Sequence, residues 1–257
     1  MSAPAELWAR MQKSMHAEFR LMPEEAGGSL FERDRVIASI VPAVPEHSLP
    51  NSVLYDDEDA LAAVLDELAD AYDEAGVRAW TVWVPRHHER TRRLLQDAGH
   101  VLDADPAAMA ADLSTIEPPR GRDPVPDAEP RLEDLGRLND MAYGTGDQFA
   151  RVIGEGEADP AHVYLASEGG RTVAGLITAD HDGDCSVWWV ATAPEMRGRG
   201  LASGLMRHAL AGGRERGCDL STLQSSKLGQ PVYEALGYKA FGVFEMWERR
   251  REAAEGR

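Results

Sequence analysis

The chain has 257 residues, of which 43% are hydrophobic, and a formal net charge of −17 at pH 7. This length and composition predict a globular protein with one large or two small domains, not a disordered chain. The acidity argues against a nucleic-acid partner and against anionic membrane surfaces, because both bind clustered positive charge. Acidity suits a cationic substrate, although it serves solubility equally well.

Two further features of the composition bear on location and on metal chemistry. Charged residues interrupt the N-terminal stretch, and no apolar run reaches the length of a membrane span, so we expect a soluble, cytoplasmic protein. Cys185 and Cys218 lie in or beside predicted strands and lack the spacing of metal ligands. We therefore expect reduced core cysteines and no metal.

The first half of the chain alternates helical and strand-like patterns. Apolar residues at helical spacing predict helices over 4–20, 59–75 and 88–97. Runs of β-branched and aromatic residues predict a hairpin within 27–44 and strands at 52–55, 79–84 and 109–113. Gly76 follows the second helix in the position of a C-cap.

A Pro-rich segment over 116–128 predicts a semi-extended linker before a second series of elements. In that second series, the patterns predict helices over 132–143, 147–154 and 230–236 and one that begins near Leu201. Strands are predicted at 162–167, 172–179, 185–190, 219–224 and 238–247. Asp182-Gly183 is a strong hairpin signal between two of them.

The two halves repeat the same order of elements. At an offset of 140 residues Leu61-Ala62 falls on Leu201-Ala202, and at an offset of 138 Gly99 falls on Gly237. A period this long that occurs twice indicates a duplication and not a solenoid.

The stretch Val190–Ala202 is the main candidate for a binding site. It begins in a strand and ends in the first turn of a helix, where unpaired N–H groups and the helix dipole favour an anion. Gly198 and Gly200 lack a Cβ, so an anion can approach the backbone closely. The repeat carries Asp57-Glu58-Asp59-Ala60 at this place, and its carboxylates would repel an anion. A dinucleotide fingerprint would need a third glycine where Ser203 stands.

Arg197-Gly198-Arg199-Gly200-Leu201-Ala202 resembles the acyl-CoA-binding motif of the GNAT N-acetyltransferases, Arg/Gln-x-x-Gly-x-Gly/Ala. A second match, Tyr233 to Tyr238, is similar to the Tyr-x-x-x-Gly-Phe/Tyr end of the family's last helix. The resemblance covers about residues 129–248. It implies an α/β fold (an α+β sandwich) of two tandem GNAT-like domains, with mixed central sheets flanked by helices.

The expected organisation is a degenerate, structural GNAT-like domain over 1–115, the linker over 116–128, an acetyl-CoA-binding GNAT domain over 129–249 and a charged tail over 250–257. The second half ends in a single strand where many family members have two. This difference leaves room for an element of the first half to complete the sheet.

The resemblance further implies acetyl-CoA as acyl donor, with its pyrophosphate on the N–H groups of 198–202 and its pantetheine along Val190 to Thr192. The implied donor-binding residues are Val190, Ala191, Thr192, Arg197, Gly198, Arg199, Gly200, Leu201, Ala202 and Ser226. Ser226 has an alternative role, which is to cap the last helix or the turn before it.

The implied reaction is direct attack of a small-molecule amine on the thioester, with Tyr233 as proton donor to the leaving thiolate. The alternative for Tyr233 is simple packing. Asp184 is the candidate base, with His181 in the same role, and the alternative for Asp184 is a turn residue. Trp188 and Trp189 are expected on opposite faces of their strand, one of them lining the acceptor pocket.

Other functions stay open at this point. One is a non-catalytic acyl-CoA-binding sensor or partner-binding protein, and another is a protein or peptide acetyltransferase. The sequence is also compatible with a homodimer.

Overall fold

The computed structural model of the chain describes residues 4–153 and 161–251. These residues divide into two compact units. What we call the C-terminal unit lies within Met1–Ser14 and Ala107–Phe241, and the N-terminal unit lies within Met15–Pro106 and Gly242–Arg257. The first helix, α1 (Pro4–Glu25), contributes to both units.

The N-terminal unit is a mixed sheet with two helices after α1. Its strands are β1 (Ser29–Arg33), β2 (Val36–Ile40), β3 (Ser52–Tyr55), β4 (Ala79–Pro85) and β5 (Val101–Ala104). Its helices are α2 (Glu58–Glu74) and α3 (Glu89–Asp97). The strand order is β1-β2-β3-β4-β11, where β11 is Lys239–Arg250, and β5 also pairs with β11. β3 and β4 are parallel, and the other pairs are antiparallel.

The C-terminal unit is also a mixed sheet flanked by helices. Its strands are β6 (Ala107–Asp112), β7 (Ala161–Glu168), β8 (Arg171–His181), β9 (Asp184–Thr192), β10 (Leu220–Ser225) and the start of β11. Its helices are α4 (Leu132–Tyr143), α5 (Gln148–Val152), α6 (Leu201–Glu215) and α7 (Gln230–Ala235). The strand order is β11-β6-β10-β9-β8-β7, with β9 and β10 parallel.

Strand β6 comes from the first half of the sequence but belongs to the C-terminal unit. It runs antiparallel to β10 over its full length, from Ala107 opposite Ser225 to Asp112 opposite Leu220. Met109 on β6 is fully buried in the core of this unit. Strand β6 of the first half thus completes the sheet of the C-terminal unit, as the single strand at the end of the second half allowed.

The compact units consequently divide the chain differently from the domains expected from sequence. Residues 107–115 lie with the C-terminal unit and not with the expected first domain, and residues 242–251 lie with the N-terminal unit. Local patterns give the elements, whereas strand pairing between distant segments decides the unit to which each element belongs. Whether these units act as separate functional domains stays a prediction.

The segment expected as a linker packs against the C-terminal unit. The Asp127 N–H donates to the Leu165 carbonyl on β7 at 2.8 Å, and the Asp127 carboxylate accepts from the Ser167 hydroxyl. Asp123 forms a buried ion pair with Arg207 of α6, and Pro124 lies against Gly204 of the same helix. We call residues 117–130 the strap.

Helical spacing in the sequence predicted most of the buried faces. In α2, Leu61, Leu65, Leu68 and Tyr72 are buried as the pattern indicated, and Leu7, Met11, Met15 and Phe19 are buried along α1. Both cysteines are free and buried. None of the described helices combines the length and the apolar composition that crossing a membrane requires.

Candidate functional site

The parallel strands β9 and β10 form a fork. They pair only where Asp184 lies opposite Leu220, at the start of both strands. On its other side β9 stays paired with β8 as far as Thr192. The edge of β9 that faces the fork therefore has no strand partner toward its C-terminal end, and that edge can pair with an extended ligand.

A bulge interrupts β9 inside the fork. Trp189 has φ +55, unusual for a bulky residue, and the pairing with β8 shifts register between Gly175 and Ile177. The Trp189 carbonyl accepts a hydrogen bond from the buried Asn139 amide of α4 at 3.2 Å. This contact helps to hold the strained conformation.

The bulge also overturns one expectation from the sequence. Strict alternation placed Trp188 and Trp189 on opposite faces of the strand. Both indoles are partly buried against the same cluster, which Leu135, Leu165 and Ile177 form. The positive φ at Trp189 breaks the two-residue period, so the alternation argument fails at this point.

The loop after β9 leads into the uncapped N-terminus of α6. Gly198 and Gly200 have φ +75 and +78, and Gly200 is the N-cap residue, without a side chain to accept from the helix. Among the described residues, no acceptor meets the backbone N–H groups of 198–202. A helix terminus in this state binds an anion through those N–H groups and the helix dipole.

The two arginines of this loop make different contacts. Arg197 donates to the carbonyls of Ala142 at 2.8 Å and Thr192 at 3.4 Å, so its guanidinium links the end of α4 to the end of β9. Arg199 pairs with Glu168 at 3.2 Å in a half-exposed ion pair. Exposed pairs of this kind contribute little and exchange easily, so Arg199 is the more available of the two for an anion.

The repeat in the N-terminal unit has its own parallel pair, but the helix that follows the first of these two strands is capped. β3 and β4 pair at Ser52–Thr81 and Val53–Val82, and α2 follows β3. The Asp57 carboxylate caps α2 by accepting from the N–H groups of Asp59 and Ala60, both at 3.0 Å. These two bonds hold the pKa of Asp57 below its usual range, and the bond from the Ala60 N–H has the larger effect. A carboxylate thus occupies the anion position of the first copy.

Tyr233 lies on α7 with 9% of its surface exposed. Its ring packs edge-on against Tyr238 at 5.9 Å between centroids. Burial, and to a smaller extent the charge of Tyr143, raise the pKa of Tyr233 well above its usual value. The phenol therefore remains protonated at neutral pH, as a proton donor must.

Ser226 caps the turn that leads into α7. Its hydroxyl accepts from the Gly229 N–H at 3.2 Å, and its carbonyl accepts from the N–H groups of Gly229 and Gln230 at 3.0 Å each. These contacts match the capping alternative considered for this residue. Its part in CoA binding stays a prediction.

Asp184 lies at the closed end of the fork, apart from the other candidate residues. It is fully buried, and its Oδ2 accepts from the hydroxyls of Ser14 and Thr222, both at 2.7 Å, while Oδ1 has no partner. Burial raises its pKa to about 6. Six residues of strand, about 20 Å, separate it from Val190. His181 pairs with Asp184 across the hairpin, at the same end.

One residue of the site was not expected from sequence. Tyr143 ends α4, and its hydroxyl donates to the Val190 carbonyl at 3.1 Å, inside the fork. In the sequence it is only the last position of an amphipathic helix. Its proximity to Val190 and Tyr233 depends on the packing of α4 on β9, which no local pattern shows.

A sequence profile of the acetyltransferase (GNAT) domain matches residues 159–240, which include the fork, the glycine loop and α7. The chain carries a GNAT acetyltransferase domain. Comparison with curated protein sequences gives no match. The match indicates an acyltransferase domain over these residues, and the described fold is the mixed α/β fold that the motifs implied.

Solved structures resemble this chain over most of its length. A GCN5-related N-acetyltransferase from Kribbella flavida has a TM-score of 0.69 at 15% identity and covers 95% of this chain and 96% of its own. A GNAT-family putative acetyltransferase from Novosphingobium aromaticivorans has a TM-score of 0.59 at 18% identity, with coverages of 98% and 100%.

A tandem GNAT protein from the clavulanic acid biosynthesis pathway has a TM-score of 0.52 at 13% identity, with coverages of 79% and 76%. At these identities the likeness shows the fold alone. Within the part of the chain that the structure describes, no group of three or more His, Cys, Asp or Glu side chains could hold a metal ion.

Proposed function

We propose that this protein is an acetyl-CoA-dependent N-acetyltransferase that modifies an amine of a small molecule at a single site in its C-terminal unit. The open N-terminus of α6, directly after the free edge of β9, carries this proposal. The helix terminus can bind the pyrophosphate of the donor, and the adjacent free edge of β9 can pair with the amide groups of its pantetheine. The N-terminal unit would then be a degenerate copy with a structural role.

The donor would bind along the loop and the strand. Its pyrophosphate would accept from the N–H groups of Gly198 to Ala202, with Arg199 turning from Glu168 toward it. Its pantetheine would pair with Val190, Ala191 and Thr192 in the manner of an added strand. Arg197 would act indirectly, because its guanidinium already holds the carbonyls at the two ends of this segment.

Transfer would proceed by attack of the neutral amine nitrogen on the thioester carbonyl carbon. A C–N bond forms, the C–S bond breaks, and the thiolate takes the proton of the Tyr233 hydroxyl. The nitrogen loses its proton to water in the fork, which can return one to the phenolate. Because Asp184 lies about 20 Å along the strand from Val190, any part it plays in this proton removal must pass through water.

The acceptor class rests on composition and on the reaction. An amine arrives largely protonated near neutral pH, and a net charge of −17 attracts cations. The two alternatives are acetylation of peptide amines and binding of acyl-CoA as a sensor without catalysis. The absence of any described membrane-spanning helix accords with a cytoplasmic location, which we also propose.

The first test is whether acetyl-CoA binds at the α6 terminus. Gly200→Glu places a carboxylate where the pyrophosphate would lie, so calorimetry should show no binding of acetyl-CoA. Gly217→Glu is the matched control, since this glycine follows the other end of α6, is exposed, has φ +101 and has no atom within 4 Å of an added Cβ. Equal affinity of the two variants would refute the site assignment.

The second test identifies the acceptor. Thiol release from acetyl-CoA is measured with a panel of amines, amino acids, aminoglycosides and peptides. Release with a small amine supports the proposal, and release with peptides alone favours the peptide alternative. Tight acetyl-CoA binding without release for any acceptor favours the sensor.

A further inference from the structure

The last turn of α4 is tied to the bulged segment of β9 by side chains that donate to backbone carbonyls. Asn139 donates to Trp189, Tyr143 donates to Val190, and Arg197 joins Ala142 to Thr192. These contacts meet the stretch of β9 along which the donor's pantetheine would pair. Any such pairing has to be compatible with them.

The Tyr143 contact differs from the other two in how easily it can break. Asn139 is fully buried, and it also donates to the Leu135 carbonyl at 3.0 Å. Tyr143, by contrast, is 61% exposed as a whole residue and its ring packs against Phe149 with 5.8 Å between centroids. Its hydroxyl makes a single 3.1 Å bond. Side chains this exposed change rotamer within nanoseconds.

The backbone after Tyr143 also allows movement. Gly144 and Gly146 have φ +72 and +76, and an added Cβ at either would meet no atom within 4 Å. Gly144 ends α4 as its left-handed C-cap. The turn that carries Tyr143 is therefore followed by two glycines in open space. The N–H groups of Gly144 and Thr145 donate to the Asp140 carbonyl, so any movement is confined to the Tyr143 side chain and the backbone near Gly146.

We propose that Tyr143 is a latch on the acyl-donor site. Its hydroxyl occupies the Val190 carbonyl while the fork is empty, and an amide N–H of the pantetheine takes over that carbonyl as the donor binds. Tyr143 then lowers donor affinity, because each binding event must first break its bond to the Val190 carbonyl. This inference rests on the proposed function, since it requires a pantetheine on β9.

The latch predicts a specific signature for Tyr143→Phe, which keeps the ring and removes only the competing hydroxyl. A net hydrogen bond of about 0.5 to 1.5 kcal/mol corresponds to acetyl-CoA binding that is about two- to twelve-fold tighter. The KM for acetyl-CoA should therefore fall as well. ADP has the pyrophosphate but no pantetheine, so its affinity should not change.

The experiment measures acetyl-CoA and ADP affinities of the full chain by calorimetry, with ADP displaced by CoA where its binding is weak. Tyr164→Phe serves as control, since that hydroxyl bonds Arg216 on another part of the same unit. Tighter acetyl-CoA with unchanged ADP supports the latch. Unchanged or weaker acetyl-CoA binding, or equal tightening of both ligands, overturns it. If the wild type fails to bind acetyl-CoA, the proposed function itself fails.

Discussion

The buried carboxyl of Asp184 should make the stability of the C-terminal unit depend on pH in a defined direction. Burial raises its pKa from about 4 in an unfolded chain to about 6 in the fold. A carboxyl with a raised pKa in the folded state contributes fully below about pH 4. That contribution is lost as the pH rises through about 6.

The size of the effect follows from the shift. Two pKa units correspond to about 3 kcal/mol, and half-ionisation of the unfolded state at pH 4 reduces the observable part to about 2 to 3 kcal/mol. Asp184→Asn removes this titration while its amide oxygen can still accept from Ser14 and Thr222. The amide group placed at the unpartnered Oδ1 position has the same cost at every pH. The free energy of unfolding of Asp184→Asn, relative to the wild type, should therefore be larger by about 2 to 3 kcal/mol at pH 7.5 than at pH 4, which means that the variant gains relative stability as the pH rises.

The assay is urea unfolding of both proteins at these two pH values, followed by fluorescence and circular dichroism to check that the probes agree. Other titrating groups are common to both proteins and cancel in the difference. Asp182→Asn, at an exposed carboxylate that pairs with Lys13 on the neighbouring hairpin, serves as the control for loss of a surface charge. If the free energy of unfolding of Asp184→Asn differs from that of the wild type by the same amount at both pH values, the argument from burial is refuted.

Two further variants test the chemistry and the strap, alongside those described for Gly200 and Tyr143. Tyr233→Phe should lower kcat by about 100-fold while acetyl-CoA affinity measured by calorimetry stays near wild type, because general acids contribute at least this much. Turnover that is unchanged across pH would remove the Tyr233 hydroxyl from the mechanism. Gly204→Ala would bring a Cβ to 2.4 Å from Pro124, so it should destabilise the fold by about 1 to 3 kcal/mol and speed proteolysis within 117–130. An unaltered cleavage rate would show that the strap tolerates the methyl group.

Features that depend on neighbouring residues could be predicted from the amino-acid sequence. Helical spacing gave the buried face of α2, and the acidic run at Asp57 indicated a terminus that satisfies its own N–H groups. The glycine loop at 197–202 and the Tyr-x-x-x-Gly pattern identified the family domain, because a strand, a loop and a helix terminus that are contiguous in sequence must be contiguous in space. These properties are set within a few residues and do not depend on the remainder of the fold.

The contacts between distant segments could not be predicted from local sequence patterns. The pairing of β6 with β10, the bulge at Trp189 and the burial of Asp184 beneath Ser14 and Thr222 each join residues far apart in the chain. The packing of α4 on β9 also brings the Tyr143 hydroxyl to the Val190 carbonyl and the Arg197 guanidinium to the Ala142 carbonyl. A local pattern encodes which face of an element is apolar, whereas the partner of that face is chosen by the packing of the whole unit.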